Sequence, residues 1–295
     1  MSAVGSRLVC FAGSAIAIEY EGEWAAQIVD FLFRHIPAGD GGNTAPHATY
    51  RVSPGDALDR LALYRDGELT YQGTSDAYLA ERLLGDIGRD LADKSRGGSL
   101  FHAGALAWDG KGLLLPGSIG AGKTTLTMWL ALKGGGGLEY LSDEMVFFPA
   151  GSQAMQSYTR PLNLKSPSRA ALKDFFDFAG QAGRLLSTPY GDLIPPGLLS
   201  FAGPRQETPL RLIIFPRYQA GCDPLCRPLS KAQAGLALME CLVNARNLPG
   251  HGFSEITRLA RVAPAYKLRY SRFEQIGGQI ATLLHMALMV KTSAS

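Results

Sequence analysis

Eight residues in the first half of the chain carry the most specific chemical pattern in the sequence. Residues 117–124 read GSIGAGKT and match the phosphate-binding pattern G-x-x-x-x-G-K-[ST] at every specified position. Glycine lets successive backbone N–H groups turn toward one anion at the positive end of a following helix. Lys123 adds a charge for the outer phosphates, and Thr124 a hydroxyl for Mg²⁺. The predicted phosphate site comprises Gly117, Ser118, Ile119, Gly120, Ala121, Gly122, Lys123, Thr124 and Thr125.

Two adjacent acids, Asp143 and Glu144, end the next predicted strand. In a motor or GTPase, an acid at this place holds Mg²⁺ and water is the acceptor, whereas in a kinase it can take the proton of a substrate hydroxyl. Successive strand residues point to opposite sides, so both acids reach one site only if the strand has ended or bent. A solvated acidic turn is the alternative.

Three further residues are candidates on weaker grounds. His102 precedes the first predicted core strand, where a histidine is more often a core or surface residue than a catalytic one. Arg160 and Arg217 stand beside prolines at predicted strand ends, and a guanidinium there could donate two hydrogen bonds to phosphate. Either arginine could equally be a surface residue.

Composition excludes several classes of protein. The formal net charge of +3 and the lack of a Lys/Arg run argue against nucleic-acid binding. Cys222 and Cys226 have no second Cys or His pair at zinc spacing, and four cysteines are few for a disulfide scaffold, which fits a reducing cytoplasm. No segment reaches the apolar length of a membrane span. Arg7 precedes a short apolar run like that of a weak signal peptide, but the alternation that follows suits a first strand better.

The elements around the loop predict a mixed α/β chain with a boundary near residue 97. The first part, 1–97, reads as an α+β region with a hairpin at Asp66-Gly67 and a helix over 75–94, where leucine or isoleucine recurs every four residues. The second part, 98–295, begins with strands at 105–108 and 112–115, joined by Asp109-Gly110. The loop, a helix from Lys123 to about residue 133 and a strand at 139–141 follow.

The remaining elements are predicted from shorter patterns. SYTRPLNL and RLIIFPRY read as strands, with a helical stretch around RAALKDFFDF between them. A helix is predicted from Lys231 to Arg246, capped by Ser230, and another over about 252–262. The strand AYKLRY and a final helix complete the chain.

The combination of motifs resembles the catalytic core of HPr kinase/phosphorylase. The matching stretches are FHAGAL before a strand, the DG turn, GSIGAGKTTL, and LSDE at the end of the next strand. Further on, RPLNLK, IIFPRY and PLSKA look like the branch called HprK-related kinase A. The resemblance is strong over about 101–148, moderate to about residue 230, and weak over the first hundred residues.

The resemblance implies an ATP- and Mg²⁺-dependent Ser/Thr-type kinase with the P-loop fold shared by phosphoenolpyruvate carboxykinases. Asp143 would match the proton acceptor and His102 the histidine that supports the acids. Glu144 would match the second acid, a metal ligand that is more often Asp in the family. The family's C-terminal HPr-contacting signature is not found, so the acceptor is expected to be a peptide, another protein or a small molecule. Homo-oligomers are common in the family.

Two other readings of the sequence stay open. The chain could be a nucleotide-binding regulatory or interaction protein that keeps the loop without efficient transfer, or a simple ATPase. The acid at Asp143 favours the kinase, because a binding module has no need of it.

Overall fold

A computed structural model describes residues 4–37, 44–55, 60–132, 138–205 and 207–289 of the chain, in which strands and helices are mixed. The strands are Val4–Phe11 (β1), Ser14–Glu21 (β2), Thr49–Pro54 (β3), Leu61–Arg65 (β4), Glu68–Gly73 (β5), Gly98–Trp108 (β6), Lys111–Pro116 (β7), Glu139–Ser142 (β8), Met145–Pro149 (β9), Ala154–Ser157 (β10), Leu162–Lys165 (β11), Leu186–Thr188 (β12), Gly191–Ile194 (β13), Thr208–Tyr218 (β14), Leu225–Pro228 (β15) and Ala265–Tyr270 (β16). The helices are Gly22–Phe33 (α1), Asp76–Asp93 (α2), Lys123–Leu132 (α3), Ser166–Leu172 (α4), Lys231–Met239 (α5), Phe253–Val262 (α6) and Gly277–Met289 (α7).

The chain divides into two compact units, and each consists of two chain segments. The first unit comprises Met1–Gly97 and Thr159–Leu198, and the second comprises Gly98–Tyr158 and Leu199–Ser295. The predicted boundary after residue 97 lies at one of these divisions. Segment 159–198, which was expected to belong to the second part, groups with the first unit instead.

The first unit contains a five-stranded sheet in the order β1-β2-β3-β4-β5 and a small sheet in the order β11-β13-β12. The hairpin between β4 and β5 turns at Asp66 and Gly67, both with positive φ, as the Asp-Gly pair predicts. In α2, the predicted period of four is confirmed, because Leu79, Leu83, Ile87 and Leu91 are all fully buried. The Ser75 hydroxyl accepts a hydrogen bond from the Tyr78 N–H (3.4 Å) and so caps this helix.

The second unit is built on one sheet with the order β10-β9-β6-β7-β14-β16-β15, in which β8 also pairs with β6. β7 and β14 are parallel, and so are β14 and β16. β8 is antiparallel to β6, as β7 is, so β8 runs in the same direction as β7. The carboxyl ends of β8, β7, β14 and β16 therefore face one edge of the sheet, where ligands of α/β sheets bind.

The two faces of β6 are covered differently. Phe101, Ala103, Ala105 and Ala107 belong to a core that includes residues of α5 and α6. Residues at even positions point to the opposite face, because side chains alternate along a strand. On that face, a Cβ added to Gly104 would lie 2.2 Å from the Thr127 Oγ1 of α3. The glycine thus allows α3 to pack close to β6.

Four sequence predictions need correction. His102 lies inside β6, which begins four residues earlier and is therefore longer than predicted. The predicted strand SYTRPLNL is split between β10 and β11. α4 ends at Leu172, short of the FFDF stretch. α5 ends at Met239 and not at Arg246, because the residues after it pair with β6. The Val243 N–H donates to the backbone oxygen of Leu100 (2.8 Å), and the His102 N–H donates to the backbone oxygen of Cys241 (2.9 Å).

Candidate functional site

The glycine loop, residues 117–124, joins the end of β7 to the start of α3. Gly120 and Gly122 have φ values of 84° and 89°, a region that residues with a Cβ rarely adopt. Among the described residues, the N–H groups of Ile119, Gly120 and Gly122 donate to no partner. A row of unpartnered donors before a helix N-terminus is the arrangement that binds an anion.

Lys123, the first residue of α3, is held against the loop. Its side chain is buried at 5% exposure, and its Nζ donates to the backbone oxygens of Gly117 (2.7 Å) and Ser118 (3.0 Å). The ammonium group therefore lies among the atoms of the loop rather than in bulk solvent. A bound phosphate would find this charge next to the N–H donors.

Two tyrosines fix the second half of the loop. The Tyr270 hydroxyl donates to the Gly122 oxygen (3.3 Å), and the Tyr218 N–H donates to the Ala121 oxygen (3.0 Å). A Cβ on Gly122 would lie 3.0 Å from the Tyr218 Cβ and the Tyr270 hydroxyl oxygen. This position therefore requires glycine both for its positive φ and for the limited space. Burial raises the pKa of Tyr270, which keeps its hydroxyl protonated as a donor.

Asp143 and Glu144 occupy a bend between β8 and β9, two strands that follow one another along the same side of β6. The strand has therefore ended where the acids begin, which meets the condition set by the sequence. The acids and the glycine loop lie beside the same part of β6. Pro116, just before the glycine loop, pairs with Ala103. The Ala103 N–H donates to the backbone oxygen of Glu144 (3.1 Å). The loop and the acids thus flank β6 at one level, about 10 Å apart at two strand spacings.

The two acids differ in their surroundings. Asp143 is only 2% exposed, and its Oδ1 accepts a hydrogen bond from the Tyr140 hydroxyl (3.4 Å). The Glu144 side chain is 46% exposed, and its Oε1 lies 3.8 Å from the His102 Nε2. The His102 side chain points to the face that α3 covers, since it alternates with Ala103. The structure therefore brings His102 and Glu144 together, beside the buried Asp143.

The residues present fit a phosphate-bound Mg²⁺. Thr124 and Thr125 lie half-buried in the first turn of α3, and their hydroxyls are oxygen donors like the Glu144 carboxylate. Mg²⁺ in nucleotide sites takes one or two protein oxygens and completes its shell with phosphate oxygens and water. Within the described ranges, no group of three His, Cys, Asp or Glu residues could hold a metal by itself.

A cavity of about 580 Å³ opens beside the glycine loop. Its walls are the loop itself, the carboxyl end of β14, strands β15 and β16, and α5. The charged residues in these walls are Arg217, Arg227, Lys267 and Glu240. Cys241 lies at the same cavity, and burial raises the pKa of its thiol to about 11, although the nearby Lys123 charge acts in the opposite direction. The thiol is therefore uncharged at neutral pH.

The two arginines predicted to contact phosphate have different positions. Arg217, at the end of β14, lines the cavity with the glycine loop. Arg160 is buried and belongs to the first unit, whereas the loop belongs to the second. A phosphate contact by either arginine stays a prediction.

Tyr218, Tyr270, Arg227 and Lys267 were not singled out from the sequence. Lys267 and Tyr270 stand in AYKLRY, where the basic residues alternate with apolar or aromatic ones. This period of two places Lys267 and Arg269 on one face of a strand, and it is the sequence pattern from which a basic face could have been predicted. Which face would meet the loop depends on the pairing of β16 with β14, which the sequence does not state.

Comparison with known proteins finds similar solved structures. The Hpr(Ser) kinase/phosphatase from Coxiella burnetii is 16% identical, with a TM-score of 0.32, and the match covers 64% of this chain and 96% of that one. A likeness at this TM-score carries no argument about the activity or substrate of this chain. No family model and no curated protein matches the chain.

None of the helices in the described ranges is both long enough and apolar enough to cross a membrane.

Proposed function

We propose that the second unit is a P-loop phosphotransferase of the HPr-kinase type that transfers the γ-phosphate of ATP to a hydroxyl group. The observation that carries this is the position of Asp143, a buried carboxylate that flanks β6 at the level where the glycine loop begins. A protein that only binds nucleotide needs the loop but no buried acid beside it. The motifs FHAGAL, GSIGAGKTTL and LSDE, and those of the HprK-related kinase A branch, support the same proposal.

Each residue of the site has a role in this proposal. The loop N–H groups and Lys123 bind the phosphates and offset their charge. Thr124 and Glu144 would hold Mg²⁺, which would neutralise phosphate charge. Asp143 accepts the proton of the attacking hydroxyl, and the Tyr140 hydroxyl orients this carboxylate. His102 positions Glu144.

The proposed acceptor is a peptide, a protein or a small molecule with a free hydroxyl group. The chemistry needs the acceptor hydroxyl within hydrogen-bond distance of Asp143 and in line with the phosphate. Positioning and electrostatics do most of the work in phosphoryl transfer, so the acceptor is selected by contacts outside the glycine loop.

The test follows labelled phosphate from γ-labelled ATP in the presence of Mg²⁺ and a cell lysate or peptides encoded beside the gene. We expect label on an acceptor, and a fall of at least about 100-fold in Lys123→Ala. Lys111→Ala is the matched control, because Lys111 lies at the far end of β7 and forms an ion pair with Asp109 on the surface. It should transfer label like the wild type.

Other outcomes identify the alternatives. Label that appears only as free phosphate would make the protein an ATPase. Bound nucleotide with neither product would make it a regulatory nucleotide-binding protein. ATP affinity and turnover untouched in Lys123→Ala would refute the role given to the glycine loop.

A further inference from the structure

The cavity beside the glycine loop is lined by three basic residues from three neighbouring strands. Arg217 comes from β14, Lys267 from β16 and Arg227 from β15. Their side chains share one face of the sheet: Lys267 pairs directly with Arg227 on one side and with Phe215, two residues before Arg217, on the other. The basic residues therefore converge on one space.

These charges lie close together on neighbouring strands. Arg227 is directly opposite Lys267, and Arg217 is directly opposite Arg269, so each strand pair places like charges side by side. Like charges in directly opposed positions destabilise a sheet. In the described part of the chain, none of these four residues forms an ion pair, and Glu240 is the one carboxylate among the described cavity residues.

In the proposed function, the loop N–H groups and Lys123 bind the phosphates of the nucleotide, whose base and ribose are uncharged. The basic residues from β14, β15 and β16 are then left for another anionic group. A cavity of about 580 Å³ has the size of a small-molecule site. An oxyanion in it would offset the repulsion between Arg227 and Lys267 and would lie next to the glycine loop.

We propose that this cavity is the acceptor subsite and that Arg217, Arg227 and Lys267 bind an anionic group, a carboxylate or a phosphate, that the acceptor carries in addition to its hydroxyl. The inference rests on the proposed function and defines the substrate class: the acceptor is an acidic hydroxyl compound or an acidic peptide segment. Binding of its anionic group beside the loop holds the hydroxyl near the phosphate to be transferred.

The test measures anion binding by calorimetry with two probes, inorganic phosphate and the tricarboxylate tricarballylate, while the protein is saturated with Mg²⁺ and the non-hydrolysable ATP analogue AMP-PNP. The glycine loop is then occupied, so binding reports on another site. We expect saturable binding of at least one probe, weakened at least about tenfold in Arg227→Gln. The probe that binds more tightly shows whether the natural group is a phosphate or a carboxylate.

Arg261→Gln is the matched control, since it removes one positive charge from the exposed surface of α6 in the same unit, away from the cavity. It should bind the probe like the wild type. Equal weakening in both variants, or no binding of either probe, would overturn the subsite. Binding of a probe to the nucleotide-free protein that disappears once AMP-PNP is bound would assign the cavity to the nucleotide and would overturn the subsite too.

Failure of the proposed function gives a different result. If AMP-PNP itself does not bind, the phosphotransferase proposal fails. The Arg227→Gln and Arg261→Gln proteins are then compared without nucleotide, where a selective loss in Arg227→Gln still supports an anion site and equal binding rejects it.

Discussion

At the scale of single residues, neighbouring carboxylates in one bend have different surroundings. Asp143 is buried and accepts a hydrogen bond from Tyr140, while the half-exposed Glu144 faces His102. Paired acids in unlike environments commonly divide the work of a site between them. We therefore assign proton transfer to Asp143 and the metal to Glu144.

The first prediction concerns Asp143→Asn. This change keeps the size of the side chain but removes the proton acceptor, so transfer of label from γ-labelled ATP should fall at least about 100-fold. Affinity for Mg²⁺-AMP-PNP should change far less, because in the proposed function the loop and Lys123 hold the phosphates.

Asp109→Asn is the control for this change. Asp109 lies in the exposed β6–β7 turn with a positive φ, a conformation that asparagine also adopts readily. Its transfer rate should equal that of the wild type. A wild-type rate in Asp143→Asn would mean that another group takes the proton.

At the scale of elements, the packing of α3 on β6 positions the glycine loop. Gly104 leaves room for Thr127, which is fully buried and whose Oγ1 has no hydrogen-bond partner among the described residues. Since Lys123 and Thr127 lie one turn apart on α3, a displacement of Thr127 moves the start of the helix as well. The loop and the sheet are thus coupled through one glycine.

The second prediction tests this coupling with Gly104→Ala. The added Cβ would lie 2.2 Å from the Thr127 Oγ1, so the free energy of unfolding should fall by about 1–3 kcal/mol, and affinity for AMP-PNP should fall with it. In Gly104→Ala/Thr127→Ala, the clashing oxygen is gone, and most of both losses should be recovered. Chemical denaturation and calorimetry measure the two quantities.

Gly85→Ala supplies the comparison. Gly85 lies within α2, and a Cβ there meets no atom within 4 Å, so this change should be neutral or should stabilise the protein by up to about 1 kcal/mol. If the double variant were no better than Gly104→Ala, overpacking at Thr127 would not be the cause.

The order of elements around the loop could be predicted from the sequence because its signals are local. Asp109-Gly110 marks a turn, and the spacing of leucines marks α2. The end of α5 could not be predicted, since the helical pattern continues where Val243 pairs with Leu100, a partner far away in the sequence. The basic face of β14–β16 was missed for the same reason: strand pairing, not local sequence, brings Arg227 beside Lys267.

At the scale of the whole molecule, the second unit is assembled from two chain segments separated by residues 159–198. The glycine loop and the acids come from the first segment, and the basic strands with Tyr270 come from the second. Contacts between these segments therefore hold the site together. Glu255 of α6 forms one of them, since it accepts a hydrogen bond from the Gly151 N–H (3.2 Å) of the other segment. Arg258, in the same segment as Glu255, holds this carboxylate in place through an ion pair (2.6 Å).

The third prediction follows from the titration of Glu255. The hydrogen bond from Arg258 lowers the pKa of Glu255, and the Gly151 N–H lowers it further against the effect of burial. A carboxylate whose pKa is lower in the folded state stabilises the fold above its ordinary pKa of 4.5, and this contribution is lost as the pH falls through the folded-state value. The stability difference between wild type and Glu255→Gln should thus be constant near neutral pH and shrink below about pH 4.5.

Urea denaturation at a series of pH values measures this difference. Glu274→Gln, which changes an exposed carboxylate of the same unit, is the control. Its stability difference from the wild type should not show the decrease that is expected for Glu255→Gln. A difference between wild type and Glu255→Gln that stayed the same from pH 7 to pH 3 would contradict the link.

The hydrogen bond from Tyr270 to Gly122 joins residues 148 positions apart, and this separation has a consequence for biosynthesis. At about 5–20 residues per second, a ribosome needs roughly 7–30 s to reach Tyr270 after it has made the loop. During that time the nascent chain carries the complete GSIGAGKT motif without Tyr270, and until residue 218 is added it lacks Tyr218 as well. Nucleotide binding should therefore mark chains that extend past residue 270, and products that end before it should lack nucleotide binding although their motif is intact.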